Sequence, residues 1–150
     1  MTGWIALLVA VGAALVFGAV WRSRQGRVRT RGKSAGGADV APDVVNELPD
    51  GLRERLGDLD GSAVTLLQLS TTFCAPCRHT RILLRDLAER TDGMRHVEVD
   101  LTDHPEWSTP LRVHTTPTTL ALDASGRELF RVGGVPRRAE LAAALEPHLP

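Results

Sequence analysis

Cys74 and Cys77 are the only cysteines among 150 residues, and they fall in the stretch TTFCAPCRH, residues 71–79. Two sulfurs at i and i+3 can form a reversible disulfide, supply half of a metal site, or sit as small inert core side chains. A disulfide needs Cα atoms about 5.5 to 6 Å apart, which the first turn of a helix provides without distortion. At a helix start the unpaired backbone N–H groups and the positive dipole end favour a thiolate on the first cysteine. The thiolate is the nucleophile, and pKa values of about 3.5 to 7.5 are attainable for cysteines at this spacing. Cys74 is therefore expected to attack a substrate disulfide, and Cys77 to resolve the mixed disulfide by attacking Cys74.

A structural zinc site calls for four ligands, commonly two cysteine pairs or one pair with closely spaced histidines. Here His79, His96, His104 and His114 lie 17, 8 and 10 residues apart, and there is no third cysteine. No metal ligand is expected, and no cofactor. Two cysteines also cannot build a disulfide framework, so the fold must rest on its core.

The surrounding sequence supplies the positions this chemistry needs. Ser62 to Ser70 (SAVTLLQLS) is an almost continuous apolar run of strand length, as for a strand buried on both faces. Residues 77 to 91 contain no Gly or Pro and place Leu83, Leu84, Leu87 and Ala88 at helical spacing, ending at Asp92-Gly93. Arg95 to Leu101 alternates, with Val97, Val99 and Leu101 on one face. A short helical stretch from His104 to Val113 is interrupted by Pro110. Thr118 to Leu122 and Glu128 to Val132 form a hairpin around Ala124-Ser125-Gly126, and Pro136 to Leu149 closes the chain as a helix. Before these, residues 47–61 suggest a short amphipathic helix. From residue 62 the order is β-α-β-α-β-β-α, a mixed α/β sheet flanked by helices.

The N-terminal part has a different character. Residues 1–21 carry no charged side chain, and Trp4 to Trp21 form an 18-residue apolar run with a tryptophan at each end. As a helix it would be about 27 Å long, close to the about 30 Å of a hydrocarbon core. It lacks the basic leader and small-residue cleavage site of a signal peptide, so residues 1–21 are expected to be an uncleaved transmembrane anchor. Arg22, Arg24, Arg27, Arg29, Arg31 and Lys33 follow directly, and the positive-inside rule puts their side in the cytoplasm. Residues 22–43, basic and then rich in Gly and Ala, are expected to be a flexible linker, and 44–150 the folded domain. From residue 34 onward 12 basic face 18 acidic residues, which excludes the clustered positive surface that nucleic-acid binding requires.

Together with the element order, these motifs resemble the thioredoxin family over roughly residues 44 to 149. FCAPCR is similar to the family's W-C-G-P-C-K motif, VDLTDHPEW to its second strand and the turn after it, and VHTTPTTLAL to the V-x-x-x-P-T segment before the hairpin. FRVGGVPRRAELAAAL resembles its last strand and C-terminal helix. The resemblance implies a thioredoxin-like fold and thiol–disulfide oxidoreductase activity. It also implies that Pro117 is a cis-proline facing the cysteines, with the Thr116 backbone pairing with bound substrate in strand fashion. Phe73, Ala75 and Pro76 would complete the substrate-binding surface.

Three departures bear on mechanism. Phe73 replaces the family's common Trp, Ala75 its Gly, and Gln68 a buried Asp that helps move the resolving cysteine's proton. Gln cannot act as a base. Asp100 is a candidate substitute, although a solvated strand-end acid is the simpler reading. His79 is expected on the exposed helix surface and Trp107 in packing. The expected partners are protein thiols or disulfides, an upstream thiol reductant, and the membrane through the N-terminal helix. The expected function is reduction of protein disulfides at the cytoplasmic membrane face. Its rivals are an outward-facing reductase for exported or cytochrome-maturation substrates and a non-enzymatic adaptor or metallochaperone on the same scaffold.

Overall fold

The computed structural model describes residues 2–24, 28–30, 48–57 and 61–150. Strands β2 (Val64–Ser70), β3 (Met94–Asp100), β4 (Thr118–Asp123) and β5 (Glu128–Gly133) form a mixed sheet. A three-residue strand, β1 (Val28–Thr30), extends it, in the order β1-β5-β4-β2-β3. β2 runs parallel to β3 and antiparallel to β4, and β4 and β5 make the expected hairpin.

Every residue of β2 is buried, because helices cover both of its faces. On one face Leu67 and Leu69 join Val99, Leu101, Leu120 and Leu122 beneath Leu52 and Leu56 of α2 (Asp50–Leu56). On the other, Leu66 and Val64 meet Phe130 and Val132 beneath two helices, α3 (Ala75–Glu89) and α4 (Arg138–Leu145). Those helices contribute Leu84 and Leu87, and Leu141 and Leu145. Fully burying one such aliphatic side chain contributes roughly 1.5 to 3 kcal/mol, so the two layers clamp β2 and fix where its C-terminal end points. A left-handed glycine, Gly93 with φ +74, makes the turn from α3 into β3.

Two helical expectations are shortened, each at a proline. The closing helix runs only from Arg138 to Leu145 and tightens into a 3-10 turn over Glu146–His148, where Pro147 has no N–H for an α-type bond. Between β3 and β4 only Pro105–Trp107 is helical, again as a 3-10 turn, and the chain continues as turns through Pro110. Trp107 is a packing residue: it is buried with the leucines of α2, and its ring stacks on His104 at 4.0 Å.

At the N-terminus, α1 (Thr2–Arg24) covers the apolar run and ends three residues beyond the expected anchor. Its described side chains are exposed, Trp4, Ile5, Leu8 and Phe17 among them. Among the described residues no helix is long and apolar enough to cross a membrane. β1 lies inside the segment expected to be linker and pairs antiparallel with β5. Residues 25–27 and 31–47, which hold the rest of that linker and the expected domain start near Val44, lie outside the described residues.

Candidate redox site

Cys74 sits four residues beyond the end of β2 and is the N-cap of α3, in extended backbone conformation. Pro76 occupies the first turn, where its missing N–H costs no hydrogen bond. The Cys77 N–H donates to Cys74 Sγ at 3.2 Å and to the Cys74 carbonyl at 3.1 Å. The two sulfurs form a disulfide, with Cα atoms 5.3 Å apart. Once that bond is reduced, the same N–H faces a Cys74 thiolate, so the helix start provides the stabilisation expected of the attacking sulfur.

The sulfurs differ in access. Cys74 is half-buried, whereas Cys77 is only 2% exposed. Around Cys74 the surface is apolar: Phe73 is 99% exposed, and Ala75 and Pro76 are exposed beside it. His79 is exposed on α3, as expected.

The second loop of the site begins in the turns after Trp107. Arg112 there has φ +52, a left-handed conformation uncommon for a residue with a side chain. Arg131 of β5 steadies this loop by donating to the Leu111 carbonyl at 3.1 Å while pairing with Glu128 at 2.5 Å. Thr116-Pro117 is a cis peptide, with Thr116 half-buried and Pro117 buried. Thr116 Oγ1 lies 3.2 Å from Thr71 Oγ1, which joins this loop to the segment carrying the cysteines, and the Gly134 N–H donates to the Pro117 carbonyl at 2.7 Å. Cys74, Cys77, Thr116 and Pro117 thus gather at one end of the sheet.

Beneath Cys77, Gln68 is fully buried and its side chain is spanned by three bonds. Its Nε2 donates to the Cys77 carbonyl at 3.0 Å and to Glu98 Oε1 at 3.2 Å, and its Oε1 lies 3.2 Å from His96 Nε2. Two acceptor-only partners fix Nε2 on their side, so His96 Nε2 must carry the proton that Oε1 accepts. Glu98 in turn pairs with Arg81 of α3. Burial pushes the His96 imidazole below its ordinary pKa, with Glu98 opposing. Sequence reasoning marked Gln68 as a lost base, but its role as the hub of β2, β3 and α3 was not visible. Two polar positions on β3, His96 and Glu98, spaced to share Gln68's face, were the available signal.

Asp100 serves a different purpose from that of a substitute base. Its carboxylate accepts from the Thr102 N–H at 2.8 Å and from Thr72 Oγ1 at 3.3 Å. Bonds from the Thr102 hydroxyl and amide hold its pKa below the usual carboxylate range, so it stays ionised and braces the loop before Cys74. Among the described residues no cluster of three or more His, Cys, Asp or Glu side chains could hold a metal ion.

No family model matches the chain. Among curated relatives, the thioredoxin of Staphylococcus saprophyticus is 28% identical over 89 residues, covering 59% of this chain and 85% of that protein. An Arabidopsis thaliana relative carrying the name thioredoxin H10 is 32% identical over 71 residues, 47% of this chain and only 46% of its own length. In fold, the chain is similar to a solved thioredoxin variant from Halobacterium salinarum, with TM-score 0.58 and 20% identity over 65% of this chain and 86% of the other.

Proposed function

We propose that the chain is a member of the thioredoxin family, as its likeness to curated thioredoxins supports, and that it reduces protein disulfides through Cys74 and Cys77 while held to a membrane by α1. The observation that carries the chemistry is the Cys77 N–H directed at Cys74 Sγ, with Cys74 accessible and Cys77 enclosed. In the forward direction the Cys74 thiolate attacks a partner disulfide, forming a mixed disulfide and expelling one partner thiolate. Cys77 then loses its proton and attacks Cys74 Sγ, which expels the second partner thiolate and closes the Cys74–Cys77 bond. Two electrons pass to the partner, whose two sulfurs end as thiols, and an upstream dithiol reductant returns the pair to its starting state. Exposed Phe73, Ala75 and Pro76 offer an apolar seat for the partner chain, and the Thr116 backbone offers strand-type pairing.

The anchor rests on the uncharged 18-residue run of residues 4–21 and on its helical conformation within α1. The six basic residues after it favour a cytoplasmic domain. The test is trapping. Full-length chain carrying Cys77→Ser should accumulate mixed disulfides through Cys74, and the unmodified chain should reduce a model disulfide. Failure of both would leave a non-enzymatic adaptor. A membrane-impermeant thiol reagent that modifies Cys74 in intact cells would move the domain to the outer side.

A further inference from the structure

The linker after α1 does not leave the sheet untouched: β1 pairs along β5 with Val28 opposite Val132, Arg29 opposite Arg131 and Thr30 opposite Phe130. The pairing is antiparallel, so the first residue of β1 lies at the end where β5 finishes. β5 finishes at Gly133, and the next residue, Gly134, donates its N–H to the carbonyl of Pro117. β4 begins at this same end, with Thr118 opposite both Gly133 and Leu69, and β2 ends there before Cys74. The start of β1, the cis-proline loop and the cysteines therefore share one edge of the sheet. From β2 to β1 is three strand spacings, about 14 Å in all.

Only residues 25–27 separate α1 from β1. The four Cα steps from Arg24 to Val28 reach at most about 14 Å, so the end of α1 is confined to the neighbourhood of that edge. The opposite edge, at the β4–β5 turn, is farther by the length of β4, about 17 Å. A fully free linker over residues 22–43 would have allowed the domain every orientation.

We infer that β1 docks the domain with its Cys74–Pro117 edge turned toward the bilayer, so that its partner is a membrane-embedded protein whose reacting cysteines lie at the membrane–water interface. This rests on the anchored reductase reading above and adds an orientation to it. Exposed Phe73 suits that location, since surface-bound segments bury Trp, Phe and Leu side chains at the headgroup–acyl boundary.

The test uses the full-length chain in phosphatidylcholine–phosphatidylglycerol vesicles containing an energy-transfer acceptor on a lipid headgroup. The donor is attached at Cys74 in Cys77→Ser, or at residue 124 in Ala124→Cys with both native cysteines replaced by Ser. Transfer from position 74 should exceed that from position 124. The excess should vanish in Val28→Pro/Arg29→Pro, which removes a ladder donor whichever of the two residues faces β5. On the same vesicles, the chain with its native cysteines should reduce an acylated disulfide peptide faster than the soluble peptide, and the proline pair should lower that preference. Equal transfer from both positions, greater transfer from 124, or an excess or peptide preference that survives the prolines overturns the orientation and leaves the anchored reductase standing. A chain that does not co-float with vesicles overturns the anchor, and the orientation with it.

Discussion

Replacing Gln68 by Asp would put a carboxyl group where the structure uses an amide, and the cost can be worked from its three bonds. The donor to the Cys77 carbonyl is lost, worth about 1 kcal/mol, as is the charge-assisted donor to Glu98, worth about 1.5 to 3 kcal/mol. The new carboxyl is buried, and if ionised it faces Glu98 across the β2–β3 register. Its folded-state pKa is then raised above its unfolded value. Stability is least affected below the unfolded pKa and falls as pH rises toward the folded one. At neutral pH a loss of roughly 3 kcal/mol is expected, which lowers Tm by about 12 to 24 °C for a domain of this size. Gln68→Met removes the same donors without adding a charge, so its smaller loss should lack the rising pH dependence. The assay is thermal unfolding of both variants from pH 5 to 8 with the disulfide closed. If Gln68→Asp stays within about 0.5 kcal/mol of the parent across that range, the range of ordinary surface substitutions, the hub described for Gln68 is wrong.

Because burial lowers the His96 pKa, the native state resists protonation there. Stability is intact above the unfolded value of 6.5 and is lost as pH falls from it through the folded pKa, and His96→Gln should flatten that slope in urea midpoints. Phe73→Ala should leave stability within about 0.5 kcal/mol, since the ring is exposed, yet raise KM in disulfide exchange with a protein substrate. An unchanged KM would remove Phe73 from the substrate surface. Trp107→Ala should cost about 3 to 5 kcal/mol as a buried aromatic truncation, read by chemical denaturation. Gly51→Ala should instead stabilise by about 0.5 kcal/mol through helix propensity, because its Cβ would meet Trp107 Cζ2 at 3.4 Å, an ordinary contact. A destabilised Gly51→Ala would mean that α2 packs tighter on that ring.

What the sequence made legible was whatever local pattern encodes. The run from Val64 to Ser70 announced a strand covered on both faces, and Cys74-Ala75-Pro76-Cys77 announced a capped helix start, because in both cases the residues that decide the structure are neighbours in the chain. Leu84 and Leu87 likewise showed which face of α3 enters the core. The parts that stayed hidden depend on partners far away in sequence. Gln68 reads as a missing acid until His96 and Glu98 are placed beside it, and Asp100 reads as a spare base until Thr72 and Thr102 close around it. β1 was invisible for another reason. Val28-Arg29-Thr30 has no alternation long enough to register, and it becomes a strand only because β5 offers an unpaired edge.

The unequal access to the two sulfurs also makes the pair a one-sided valve for reagents arriving from solution. After reduction, an alkylating drug or peroxide meets Cys74 first, because Cys77 is closed off beneath it. Alkylation then halts at one adduct per chain and leaves Cys77 as a sealed, unspent thiol. Peroxide meets a different fate: a sulfenic acid formed on Cys74 is within one helical turn of a waiting thiol, and condensation with Cys77 expels water and regenerates the ordinary disulfide. The burial that restricts Cys77 to the resolving role thus keeps accidental oxidation at its first, recoverable rung.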